Sequence, residues 1–114
     1  MMSNRRVLEI LEERGDKLNV PREVNHWIYF KNEEDRGAFE RAVNVQNFTT
    51  IDSGFDQNYG EYAYKLVVAK TENVDVGDID SYSSLLLALA EQFNGDYDGW
   101  ECPMILNDDN AEDN

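Results

Sequence analysis

His26 and Cys102, the only histidine and the only cysteine of the chain, are the side chains most able to do covalent chemistry. A thiol activated by an imidazole is a nucleophile when the two meet, a third group orients the base, and an oxyanion site faces them. His26 falls in the expected first strand and Cys102 in the last, two strands expected to pair, so the first condition is open. No orienting residue or oxyanion site accompanies them. A strand histidine and a small apolar cysteine are the commoner outcome, and catalysis is not expected. Asp56-Gln57-Asn58-Tyr59-Gly60-Glu61 superficially resembles a calcium loop, but Gly60 occupies the fifth position, where a ligand belongs. A hairpin turn is the simpler reading. The sequence has no cysteine–histidine cluster for zinc and no phosphate-binding glycine loop, so neither metal nor cofactor is expected.

Charge narrows the partners. Among 114 residues, 24 are acidic and 10 basic, a net charge of −14. Such a surface repels phosphate backbones and argues against direct nucleic-acid binding. It suits basic partners, or it is simply a well-solvated acidic surface. An apolar fraction of 41% with 11% aromatic residues is enough for one modest core. A single cysteine excludes an internal disulfide, and no apolar run is long enough for a transmembrane helix. The beginning of the chain, MMSNRRVLEILEERG, is interrupted by Glu9, Glu12 and Glu13 and is not a secretory signal, so the cytoplasm is the expected location.

The elements that position these residues follow from periodicity. The spacing predicts a first helix over 3–14 ended by Gly15. A strand follows over 23–31, with Val24, His26, Ile28 and Phe30 on one face and Asn25, Trp27, Tyr29 and Lys31 on the other. Asn32 caps a second helix running to about residue 46, with Glu33, Glu34 and Asp35 at its positive end. Two strands over 47–56 and 61–71 are joined by a turn at Asp56, Asn58 and Gly60. In the second of them Tyr62, Tyr64, Leu66 and Val68 are expected inward, and Ala63, Lys65, Val67 and Ala69 outward. Ile79, Tyr82, Leu86, Leu89 and Phe93 form the apolar stripe of the longest helix. Asp80 or Ser81 is its expected cap and Gly95 its stop. Tyr97-Asp98-Gly99-Trp100 reads as a turn into a last strand around 100–106.

After the leading helix, the order β-α-β-β-α-β is that of an α+β ferredoxin-like split β-α-β sandwich. Its four-stranded antiparallel sheet has helices on one face, its first and third strands are central, and its other face has no helix over it. One domain over 1–106 is expected, followed by an acidic, disordered tail over 107–114.

In this setting the run Ala90-Glu91-Gln92 followed by Tyr97-Asp98-Gly99-Trp100 resembles the regulator of ribonuclease activity B family. So do the segment Pro21–Phe30 and the following Glu34-Asp35-Arg36. The likeness covers roughly residues 5–105. It implies a ferredoxin-like fold, no catalytic activity, and a protein that binds endoribonuclease E and inhibits or retunes it.

The candidate protein contacts are Trp27, Tyr29, Tyr97, Asp98 and Trp100. Tyrosine and tryptophan are enriched at interfaces, and Trp27 and Tyr29 fall on the face the fold leaves uncovered. For the Tyr97–Trp100 stretch the structural reading stands beside the functional one: Gly99 supplies a special backbone conformation, Asp98 bonds backbone N–H groups, and Trp100 anchors the core. The expected state is a monomer or weak homodimer without membrane or nucleic-acid contact. The competing function is an assembly module that pairs with itself or an unrelated partner through the open sheet face.

Overall fold

The computed structural model describes residues 4–15, 21–72 and 76–102. In chain order they form α1 (Asn4–Glu13), β1 (Arg22–Phe30), α2 (Glu33–Asn44), β2 (Thr49–Phe55), a single 3-10 turn (Gln57–Tyr59), β3 (Tyr64–Glu72), α3 (Val76–Gln92) and β4 (Gly95–Glu101). The strands make one sheet in the order β2-β3-β1-β4, every neighbour antiparallel. This is the expected ferredoxin-like arrangement, with the first and third strands central and the last beside the first. No helix among the described residues is long and apolar enough to cross a membrane.

β1 runs along the middle of the sheet because its residues alternate. Arg22, Val24, His26, Ile28 and Phe30 are all buried, while Trp27 and Tyr29 between them are half-buried. The buried side meets the helices. Ile28, Phe30, Leu66 and Val68 of the sheet pack with Phe39 and Val43 of α2 and Leu86 and Ala90 of α3. α2 begins where Asn32 Oδ1 accepts the Asp35 N–H at 2.8 Å, with three carboxylates in its first turn. A second cluster, Leu8, Val24 and Ile79, joins α1 to α3 and takes in Trp100 and Cys102. There the Asn4 amide donates to Asp80 and Ser83, and the Trp100 indole N–H donates to Asn4 Oδ1 at 2.8 Å.

Several local expectations are corrected. α3 starts at Val76, ahead of Asp80 and Ser81, and the Ser81 hydroxyl bonds the Gly77 carbonyl inside the helix rather than capping it. The left-handed residue after α3 is Asn94 (φ 61°), not Gly95. Gly95 is needed for another reason: a Cβ there would lie 2.4 Å from the Phe30 ring. Leu86 is fully buried, as the helical stripe requires, whereas Leu89 is only half-buried against the core. Val67 and Ala69, expected outward, are 3% and 2% exposed although no helix among the described residues covers them. They are small residues of a central strand whose registered neighbours include Trp27, Asn25, Asp52 and Thr49, and those larger side chains shade them. The turn chemistry at Asp56, Asn58 and Gly60 is as expected: Asp56 Oδ1 accepts the Asn58 N–H, and Gly60 has φ 72°. The acidic run 107–114, and the part of the last strand expected over 103–106, lie outside the described residues.

Candidate functional site

β4 decides which side chains reach which face. Tyr97-Asp98-Gly99-Trp100 is not a turn before the strand; it lies within it. Ile28 pairs with Tyr97 and Trp27 with Gly99, so Asp98 is an extra residue, a β-bulge. Gly99 has φ 146°, a conformation that residues with a Cβ rarely adopt. One inserted residue reverses the alternation beyond it. Trp100, opposite His26, is thereby returned to the helix side, where it bonds Asn4. Asp98 is left exposed on the other side, and Gly99 sets no side chain opposite Trp27. The Asp-Gly pair is a strong turn signal in sequence, while a bulge is defined only by the partner strand, which is why the two are confused.

On the open side, Tyr29, Tyr62, Asp96 and Asp98 line a shallow depression of about 350 Å³. Tyr29 and Asp96 are register partners across β1 and β4. Tyr62 precedes β3 and belongs to this depression, not to the inward set in which the alternation placed it. Asp96 and Tyr62 are the two lining residues that sequence reasoning missed. Asp96 alternates with Asp98 and was visible in that sense, but Tyr62 meets them only through the β3-β1-β4 pairing.

The charges of this face are distributed unevenly. Lys65 pairs with Asp52 at 2.8 Å, and that hydrogen bond holds the Asp52 carboxyl below the usual aspartate range. Lys31 pairs with Glu61 at 3.3 Å, which raises the lysine's affinity for its proton, and its ammonium lies 5.3 Å from the centre of the Tyr62 ring. Asp96, Asp98, Glu101 and Glu23 are all exposed, and none forms an ion pair among the described residues. The β4 half of the face therefore carries unneutralised carboxylates beside Trp27, Tyr29 and Tyr62.

The opposite face holds the titratable groups with the closest geometry. His26 Nε2 lies 2.8 Å from Glu72 Oε2 and its Nδ1 lies 2.9 Å from the Tyr97 hydroxyl. With the carboxylate ionised, the Nε2–H donates to Glu72 and a neutral ring accepts the Tyr97 O–H. The histidine and glutamate side chains are wholly inaccessible. Burial, with the nearby carboxylates of Glu72 and Asp98, pushes the Tyr97 phenol well above its ordinary range. The network ties β1, β3 and β4 together.

Cys102 is not joined to this set. It packs in the Leu8 cluster, while both ring nitrogens of His26 are engaged elsewhere. Of the five candidate contacts, Trp27, Tyr29 and Asp98 share the open face. Tyr97 is 8% exposed and Trp100 is turned to α1, so the structure divides the set between two faces.

A family model described as Regulator of ribonuclease activity B matches residues 2–102, a span that includes all the described residues. No curated protein gives a match.

Proposed function

The chain belongs to the regulator of ribonuclease activity B family, and from that premise we propose that it is a non-catalytic cytoplasmic regulator that binds endoribonuclease E and slows RNA cleavage. The observation that carries the docking half is the open sheet face. There Trp27, Tyr29 and Tyr62 stand beside Asp96 and Asp98, whose charges no cation among the described residues neutralises. Aromatic anchors ringed by one sign of charge suit a basic protein segment. A net charge of −14 lacks the cationic groove that single-stranded RNA requires. The regulator acts by covering a basic segment that RNA would otherwise occupy. The same carboxylates oppose face-to-face pairing of two copies, which favours a monomer over the self-assembly reading.

Calorimetric titration of the purified protein with endoribonuclease E at two salt concentrations tests this. The expected result is a complex that weakens with salt and a cleavage rate that falls as the complex forms. Trp27→Ala is expected to weaken binding by about 2 kcal/mol while the melting temperature changes little. Absence of any complex at either salt, with both proteins folded, overturns the reading.

A further inference from the structure

We infer that the depression between Tyr29 and Tyr62 is a seat for one arginine side chain of a basic partner segment. The inference deepens the docking role proposed above and rests on it for the identity of the protein that supplies the arginine.

Three observations carry it. The first is the chemistry of the lining: two phenol rings and two carboxylates, Asp96 and Asp98, around about 350 Å³. A guanidinium is planar and always charged. It stacks flat on tyrosine faces and offers paired N–H groups to carboxylates, whereas a lysine ammonium meets either one only as a point charge. The second is that the Tyr62 ring already attracts a cation, since the Lys31 ammonium lies 5.3 Å from its centre, held there by Glu61. The protein's own lysine has its own carboxylate partner, whereas Asp96 and Asp98 have no cation of their own among the described residues. The third is placement. Tyr29 and Asp96 face each other in register, and the bulge holds Asp98 on the same side while Gly99 adds no side chain to crowd the space. Elsewhere on this face Asp52 is neutralised by Lys65, whereas the seat sets two carboxylates beside two phenol rings.

The test uses the full chain and two synthetic probes: a short lysine–glycine peptide with one central arginine, and the same peptide with lysine in that place. Tryptophan fluorescence or calorimetry at low salt reads the affinity. The arginine peptide is expected to bind about tenfold more tightly, the size of one planar, desolvated cation contact. In the double variant Asp96→Asn, Asp98→Asn this advantage is expected to fall below about threefold. Both replacements are nearly isosteric and at exposed positions, so folding is retained, and a melting curve verifies it. Equal affinity for the two peptides, no binding of either, or an advantage that survives in the double variant each overturns the seat. The double variant is then titrated with endoribonuclease E. Binding as tight as that of the unaltered chain overturns the seat as the docking point and leaves the docking reading standing. An arginine preference without any complex with the enzyme supports the seat and removes the enzyme as its source.

Discussion

The two faces of β1 solve the same problem in opposite ways. On the helix side, His26 is sealed from solvent and both of its ring nitrogens are engaged within the chain, by Glu72 and Tyr97. On the open side, one residue further along, Trp27 and Tyr29 are half-buried and the nearest carboxylates have no cation among the described residues. Buried polar groups must be satisfied internally or the fold loses stability. Exposed ones are satisfied by water until something better arrives. The difference separates what holds this protein together from what it offers to others. Substitutions on the first face should be read in stability, and those on the second in binding.

The largest stability effect expected on the helix side is at Leu86, which is fully buried between α3 and the sheet. Leu86→Ala removes buried methyl groups and leaves a cavity, at a cost of about 2–5 kcal/mol. That is a large share of a small domain's stability. Denaturant unfolding measures it. A loss comparable to that of Trp27→Ala would mean that the two faces are not divided as described.

Tyr97→Phe is the next test. It removes one hydroxyl and leaves Nδ1 of a buried histidine without its partner, a loss of about 1–3 kcal/mol. pH sharpens the point. Because the phenol is held above its ordinary value in the folded chain, its contribution is fully present below the unfolded tyrosine value of about 10. It fades as pH rises beyond that value towards the folded one, since the unfolded chain releases the proton first. The alkaline unfolding midpoint should therefore move up in Tyr97→Phe relative to its own neutral-pH stability. Equal alkaline sensitivity of the two chains would remove Tyr97 from the account.

How much of this was legible in sequence depends on the range over which each feature is defined. The alternation of β1 is a period-two pattern within nine residues, and Val24 to Phe30 is placed correctly by it. The cap at Asn32 and the turn at Asp56 are similarly local. The β4 bulge is not, because Asp98 is an extra residue only relative to Trp27 and Ile28. Without that register an Asp-Gly pair reads as a turn, and the last strand is then set too late. Gly95 reads as a helix stop for the same reason, since its role is set by a ring 65 positions away in chain order, that of Phe30. Neither the His26–Glu72 contact, across 46 residues, nor the meeting of Tyr62 with Asp96 leaves any local signal. The fold was readable because it is built from periodic stripes; the candidate site was half readable because it is built from register.

Gly99→Ala tests the device that keeps the faces apart. A Cβ at this position meets no atom within 4 Å, so crowding is not the obstacle. The positive φ is, and the expected cost is about 1–2 kcal/mol of backbone strain. Relief of that strain by closing the bulge would shift the register and draw Trp100 away from Asn4. Amide exchange of β4 and the melting temperature report this together. An unaltered melting temperature would show that the bulge tolerates a side chain and that Gly99 is not what fixes the division.

The smallest effects on stability are expected at two aspartates that share the open face and differ in their partners. Asp52 is paired with Lys65, while Asp98 has no cation beside it among the described residues. Asp98→Asn is expected to change folding stability by no more than about 0.5 kcal/mol, as exposed substitutions usually do. Asp52→Asn should leave the melting temperature nearly unmoved, since an exposed ion pair contributes little. Binding separates them. An unneutralised carboxylate steers a basic partner, so Asp98→Asn should slow association, most clearly at low salt where screening is weak. Asp52 has its field offset by Lys65 at 2.8 Å, so Asp52→Asn should alter association less than Asp98→Asn does. Stopped-flow association rates of both variants with endoribonuclease E, at two ionic strengths, decide the matter. Equal slowing by the two would mean that only total charge counts, and that the acids beside Tyr29 hold no privileged place on the face.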